Sequence, residues 1–195
     1  MSGHAKHGRW KRGLRRAAGD RRAWIALLSG LLVMIWVGPD AARWVWRAGD
    51  EHRIERHMPL IREHAEATGL DVDLVRTVVM AESSGRADAK SNRGAHGLMQ
   101  ITPITEKDVL QRNPDFKRGN LFNPDYNLLI GTRYLSYLLG RFDGDEMLAL
   151  TAYHMGPTRV SRIQREHPGI TPDEILEQHA GPQTRAYVRR VLSER

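Results

Sequence analysis

The chain of 195 residues is 41% apolar, contains no Cys and carries 30 Lys and Arg against 23 Asp and Glu. That composition allows one ordinary domain with an appendage, and it excludes global disorder, disulfides and thiolate zinc sites. The net charge of +7 is local, because residues 1–22 hold eight Lys and Arg against Asp20 alone and the remainder is balanced; the basic character belongs to a tail and does not mark a nucleic-acid-binding domain.

After the tail comes AWIALLSGLLVMIWVG, residues 23–38, without a single charge. The run is slightly short for a bilayer, but Arg22 can snorkel to extend it, and Trp24 and Trp36 near its ends resemble an interfacial belt. A cleaved signal peptide is the competing reading, although the best cleavage site, Pro39-Asp40-Ala41, is poor. A buried core helix fits less well, since the run is apolar on every face and is flanked by basic charge. The favoured expectation is an uncleaved transmembrane anchor, with the basic tail 1–22 cytoplasmic and everything after residue 39 exported. The tail abuts the apolar run and meets anionic lipid before any nucleic acid. Residues 39–56 are charged and read as a short helical stalk, and a domain over 57–195 opens at Met58-Pro59.

Within that domain the punctuation is helical throughout. Leu60 to Thr68 ends at Gly69, a C-terminal capping residue. Thr102-Pro103 and Asn123-Pro124 each place a capping side chain before a Pro at the first helical position. Thr171-Pro172-Asp173-Glu174 reads as a capping box. Asn123 to Arg141 carries Ile130, Tyr134, Tyr137 and Leu138 on one face, whereas Asp145 to His154 is apolar nearly all round and belongs at the centre. The expectation is a mainly helical domain of six to eight short helices, with minimal β structure near 85–101.

The stretch 72–100, VDLVRTVVMAESSGRADAKSNRGAHGLMQ, organises the rest. Asp71 can cap its helix, and Leu74, Val75, Val78 and Val79 recur at helical spacing on a face that needs burial. Glu82 lies one turn beyond Val78, so the buried face carries a carboxylate out to the helix end. Ser83, Ser84 and Gly85 stop the helix, and Gly94 and Gly97 let the returning chain pass close. A Glu between an apolar wall and an open cleft keeps its proton to higher pH, which suits a general acid; a solvated helix-end Glu is the plain alternative.

Four blocks resemble the signatures of the lytic transglycosylases of the soluble-lytic, goose-lysozyme-like class. They are Glu82-Ser83 with Ala89-Lys90-Ser91 and Gly94-Ala95-His96-Gly97-Leu98-Met99-Gln100; Asn127, Gly131, Tyr134 and Leu135; Ala152-Tyr153-His154-Met155-Gly156-Pro157; and Thr184-Arg185-Ala186-Tyr187-Val188. They occur in family order across about 57 to 192. The resemblance implies a lysozyme-like fold, peptidoglycan glycan strands as substrate, no cofactor and no metal. It also implies a one-carboxylate mechanism. Glu82 protonates the leaving oxygen, the substrate's N-acetyl group helps to stabilise the cation, and Glu82 then takes the 6-hydroxyl proton as a 1,6-anhydro ring closes. One Glu can serve both steps only if its pKa is raised toward neutrality.

By the same analogy Met99 and Gln100 line the sugar groove, the thioether against a ring face and the amide on polar groups. Tyr153 is either a core aromatic or a hydroxyl that orients Glu82, the preferred reading. Ser91 holds Glu82 or substrate, Ser83 caps backbone, and Tyr187 is a substrate-binding candidate with core packing as its alternative. His154 stands where the family has Asn, and it still offers a donor and an acceptor for substrate. Gln183 stands where Glu is frequent. Asp88 reads as a solvated loop residue, and His52 and His57 as stalk surface. The nine His show no metal-ligand spacing on a common helix. The expected protein is thus a bacterial, membrane-anchored lytic transglycosylase working outside the cytoplasmic membrane. A goose-type muramidase and an idle peptidoglycan-binding module are the alternatives.

Overall fold

The computed structural model describes residues 49–194, which belong to a compact unit beginning at Gly49. Residues 49–55 are helical. Ile54 is fully buried in the core, and Arg53 Nε donates to the Ser84 carbonyl oxygen at 3.0 Å. The last part of the stalk expected over 39–56 is thus helical, and a single apolar side chain in this charged stretch docks it onto the domain. The tail 1–22, the anchor run 23–38 and the first part of the stalk lie outside the described residues. Among the described residues no helix is long and apolar enough to cross a membrane.

The helices follow the capping signals closely. Helix α1, Met58–Thr68, ends on Gly69 at φ 68°. Helix α2, Val72–Ser83, is capped by the Asp71 carboxylate, which accepts from the Leu74 N–H at 2.8 Å. Thr102 caps α3, Pro103–Arg112, and Asn123 caps α4, Pro124–Arg141. Asp145 caps α5, Glu146–Met155, and Gly156 opens α6, Pro157–Glu166. Thr171 and Glu174 form a complete capping box on the single turn α7, Pro172–Glu174. A π-helical turn, Ile175–His179, and Gly181 lead into α8, Pro182–Ser193. Each such cap satisfies an N–H with no partner inside the helix, typically for about 1 kcal/mol.

Helix α5 packs against α4, α6, α7 and α8, so the element apolar on nearly every side is the central one. Helix α2 packs between α1 and α8. Its Leu74, Val75, Val78 and Val79 are 0–2% exposed, each contributing roughly 1.5–3 kcal/mol of burial. That apolar face fixes where its last turn, with Glu82, sits beside α8.

Residues 85–101 form an irregular loop with two isolated β-bridges, Lys90 to His96 and His96 to Ile101. A buried amide fastens it to α4. Asn127 accepts from the Met99 N–H at 2.7 Å and donates from Nδ2 to the carbonyls of His96 and Leu121, both at 2.8 Å. Gly97, at φ 76°, passes so close that a Cβ there would collide with the Asn127 side chain and the Leu121 carbonyl. A second buried clamp holds the segment after α3. Glu106 is 3% exposed; one of its oxygens accepts from Arg118 Nε and Nη2 at 3.0 and 2.8 Å, the other from the Tyr126 hydroxyl at 2.8 Å.

Candidate active site

Glu82 lies in the last turn of α2, where Ser84 at φ 52° and Gly85 at φ 71° take the chain sharply away. Ser83 is buried and returns its hydroxyl to the Val79 carbonyl at 3.1 Å, so it serves the backbone. The Glu82 side chain is partly buried between helices, and this desolvation pushes its pKa up from 4.5 to about 7, with a hydrogen bond from the Tyr187 hydroxyl pulling the other way. Removing water penalises the carboxylate more than the neutral acid. No second carboxylate is among the groups that act on Glu82.

Tyr187, on α8, is 9% exposed, and by strict distance and angle its buried hydroxyl has no well-formed partner, so its contact with Glu82 is loose. Burial, then the Glu82 charge, holds that hydroxyl well above its usual pKa of 10, so it remains a donor at any working pH. Its ring stacks on His154 at 5.1 Å between centroids. Tyr187 thus combines core packing, one of the two roles expected for it, with a direct approach to the acid, which the sequence reading did not assign to it.

Tyr153, on α5, donates its hydroxyl to the Met99 carbonyl at 2.7 Å and packs on Tyr134 at 5.4 Å between centroids. The Glu82 charge reaches it and, after burial, raises its pKa further. Its proton is committed to the loop, so toward Glu82 it offers lone pairs, which suit a protonated carboxyl. Met99 differs from expectation: it is 0% exposed, and its side chain sits where a Cβ on Gly131 of α4 would be. Asn127 and Tyr153 hold its backbone from both sides, which turns the thioether into the core instead of the groove.

Gln100 adopts φ 48° and donates its Nε2 to the Gly97 carbonyl at 2.9 Å and to the Ala89 carbonyl at 3.3 Å. Its donor therefore stabilises the loop, while Oε1 is uncommitted by these bonds. The Ser91 hydroxyl accepts from the N–H groups of Arg93 and Ala95 at 3.2 and 3.0 Å; it organises the turn 91–95 and makes no hydrogen bond to Glu82. His154 shares a proton with the Thr184 hydroxyl through Nδ1 at 2.9 Å. Burial, and then the nearby Arg93 charge, lowers its pKa below 6.5, which keeps the imidazole neutral near pH 7. Asp88 is exposed and lines a separate hollow of about 290 Å³ with Arg53, Arg56 and His57. His57 is only partly exposed there, and burial lowers its pKa.

A larger cleft of about 570 Å³ opens beside the acid, lined by Arg93, His154, Arg159, Gln183 and Thr184 among others. Glu82 is not part of its wall; the stacked rings of His154 and Tyr187 connect the two. Among the described residues no group of three His, Asp or Glu side chains could hold a metal ion. Sequence reasoning assigned no task to Asn127 beyond its place in a motif. The signal available was an amide at 127 followed directly by Leu128, Leu129 and Ile130 on an apolar helix.

The chain matches the family model "Transglycosylase SLT domain" over residues 59–174. It is 36% identical over 107 residues to the peptidoglycan transglycosylase gp16 of Escherichia phage T7, covering 55% of this chain and 8% of that one. It is 28% identical over 164 residues to membrane-bound lytic murein transglycosylase C of Photorhabdus laumondii, covering 72% of this chain and 46% of the relative. An inactive Glu-to-Gln mutant of the lytic transglycosylase Slt from Pseudomonas aeruginosa superposes with a TM-score of 0.64 at 31% identity, over 71% of this chain and 23% of that structure. The chain thus spans less than half the length of each of these proteins. It belongs to the Transglycosylase SLT domain family.

Proposed function

We propose that the protein is a lytic transglycosylase that cleaves the β-1,4 bond between N-acetylmuramic acid and N-acetylglucosamine in peptidoglycan. The observation that carries this reading is Glu82 itself: a carboxyl raised to about 7 by burial, with no second carboxylate acting on it. At neutral pH such a group is populated in both forms, so one residue can be acid and then base.

In the first step the Glu82 carboxyl gives its proton to the bridging oxygen as the bond to the anomeric carbon breaks. The released N-acetylglucosamine leaves with a 4-hydroxyl. The muramic acetamido oxygen bonds to the anomeric carbon and carries the positive charge that a second carboxylate meets in most hydrolases. In the second step the Glu82 carboxylate removes the 6-hydroxyl proton, the 6-oxygen bonds to the anomeric carbon, and the acetamido group departs. The product is a 1,6-anhydro end, the acid is regenerated, and no water is consumed. Tyr187 steadies the carboxylate form and Tyr153 the protonated form, while the neutral His154 and the free Gln100 carbonyl contact substrate.

The reading extends to location. An anchor over 23–38 with the tail 1–22 inside would hold the domain at the outer face of the bacterial inner membrane, within reach of peptidoglycan. The placement of charge in the sequence supports this, as does similarity to a relative named membrane-bound. The decisive experiment digests purified peptidoglycan and identifies the new ends by mass. Anhydromuramic ends are expected from the wild type, and Glu82→Gln should lower turnover by about 10²-fold or more while substrate binding persists. Reducing muramic ends as the main product would mean that water is the nucleophile and would refute the reading.

A further inference from the structure

The backbone that follows Glu82 is held by side chains at three successive residues. Arg86 Nε donates to the Ser83 carbonyl at 3.1 Å, and Arg53 Nε donates to the Ser84 carbonyl at 3.0 Å. Burial and the Arg56 charge lower the His57 pKa, and a hydrogen bond with the Gly85 backbone opposes them. Carbonyls at a helix C-terminus lack partners inside the helix and carry its negative end, so such donors fasten the last turn. Two of the three side chains, Arg53 and His57, come from the stretch before α1, which joins the domain to the run 23–38.

That stretch is closely fitted to the turn. Ile54 is fully buried, and Asp50 pairs with Nη2 of Arg53 and orients the guanidinium. A Cβ on Gly85 would lie 3.0 Å from the Ile54 nitrogen and 3.1 Å from the Arg53 carbonyl carbon, so the two backbones nearly touch. The turn itself is strained, since Ser84 takes φ 52° without being a glycine, a conformation that persists where its surroundings enforce it. Neither guanidinium is among the groups that act on the Glu82 carboxyl. Their hold on the acid therefore passes through the backbone of the turn and not through charge.

We infer that Arg53, oriented by Asp50, is a positioning residue for Glu82: the segment 49–57 clamps the turn 83–85 and so keeps the acid at its depth beside Tyr187. The inference rests on the proposed activity at Glu82, because it concerns how that acid is held. Loosening the turn admits water to the carboxyl and moves its pKa from about 7 back toward 4.5. It also displaces the carboxyl from the bridging oxygen, where an error of about 1 Å costs up to roughly 10²-fold.

The test assays the full-length protein on purified peptidoglycan as a function of pH, with Arg53→Ala, Asp50→Asn and Arg62→Ala, each below its unfolding temperature. Arg53→Ala should lower kcat about tenfold with KM changed less than about twofold. It should also move the alkaline limb of kcat/KM downward by about half to one pH unit. Asp50→Asn loosens the Arg53 fork and leaves the core contacts in place; it should shift both quantities the same way by less, and it carries the test should Arg53→Ala not fold. Arg62→Ala removes an equal charge from the exposed side of α1 and should change neither. Tyr153 and Tyr187, the titratable groups that face Glu82, are untouched in all three, so a downward limb reports hydration of the acid. A limb that moves upward would mean that Arg53 acts through its charge, and a limb that stays put would leave the segment a purely structural role; either overturns the inference. Unchanged kcat with anhydro ends still formed would overturn it while leaving the activity standing, whereas the absence of such ends from the wild type would remove both.

Discussion

Replacing the proposed acid should stabilise the fold, and in a pH-dependent way. In the folded protein Glu82 holds its proton to about pH 7, whereas its ordinary value is 4.5. Between those values the native state binds more proton than the unfolded chain, so stability falls as pH rises through this window. Below pH 4.5 both states carry the neutral acid and the penalty vanishes; above 7 it is complete. At about 1.4 kcal/mol per pH unit the displacement amounts to roughly 3 kcal/mol, an upper figure because the side chain keeps some contact with water. Glu82→Gln keeps the size and hydrogen-bonding capacity but has no charge to desolvate. Thermal or denaturant unfolding should therefore find it about 2–3 kcal/mol more stable than wild type at pH 8, a gain of roughly 5–10 °C in Tm, and nearly equal to it at pH 4.5. A stability gap that is the same at both pH values, or a Gln variant less stable at pH 8, would show that Glu82 is not desolvated and would remove the physical basis for its double role.

Two further outcomes follow from its neighbours. Tyr187→Phe deletes the one hydrogen bond that lowers the Glu82 pKa, so the alkaline limb of kcat/KM should move upward by about half to one pH unit, as expected for one loose bond to a charged group; a limb that stays put in a pH–rate profile would assign Tyr187 to packing alone. Asn127→Asp turns the donor that serves the His96 and Leu121 carbonyls into an acceptor, and it should destabilise the domain by about 2–4 kcal/mol in denaturant unfolding. A loss below 1 kcal/mol would mean that the 85–101 loop is held by other contacts.

Much of the helical frame was legible because its determinants are local. Asp71, Thr102, Asn123, Asp145 and the Thr171–Glu174 box each satisfy N–H groups within their own first turn, and Gly69 ends α1 through its left-handed backbone. The spacing of Leu74, Val75, Val78 and Val79 likewise dictates which face of α2 is buried, and with it that Glu82 emerges at the rim of the core. What the side chains around Glu82 do was settled at longer range. Met99 was expected in the groove but fills the space above Gly131, because Asn127 and Tyr153, from two other helices, fix its backbone. The Tyr153 hydroxyl goes to a carbonyl 54 residues away in sequence, and Glu106 finds Arg118 and Tyr126 around one buried carboxylate. Ile54 joins the core from a stretch whose composition reads as solvated. Local propensity and pattern specify an element and its buried face, but partners, burial depth and the pKa of a carboxyl depend on which other elements close over it, and only tertiary packing decides that.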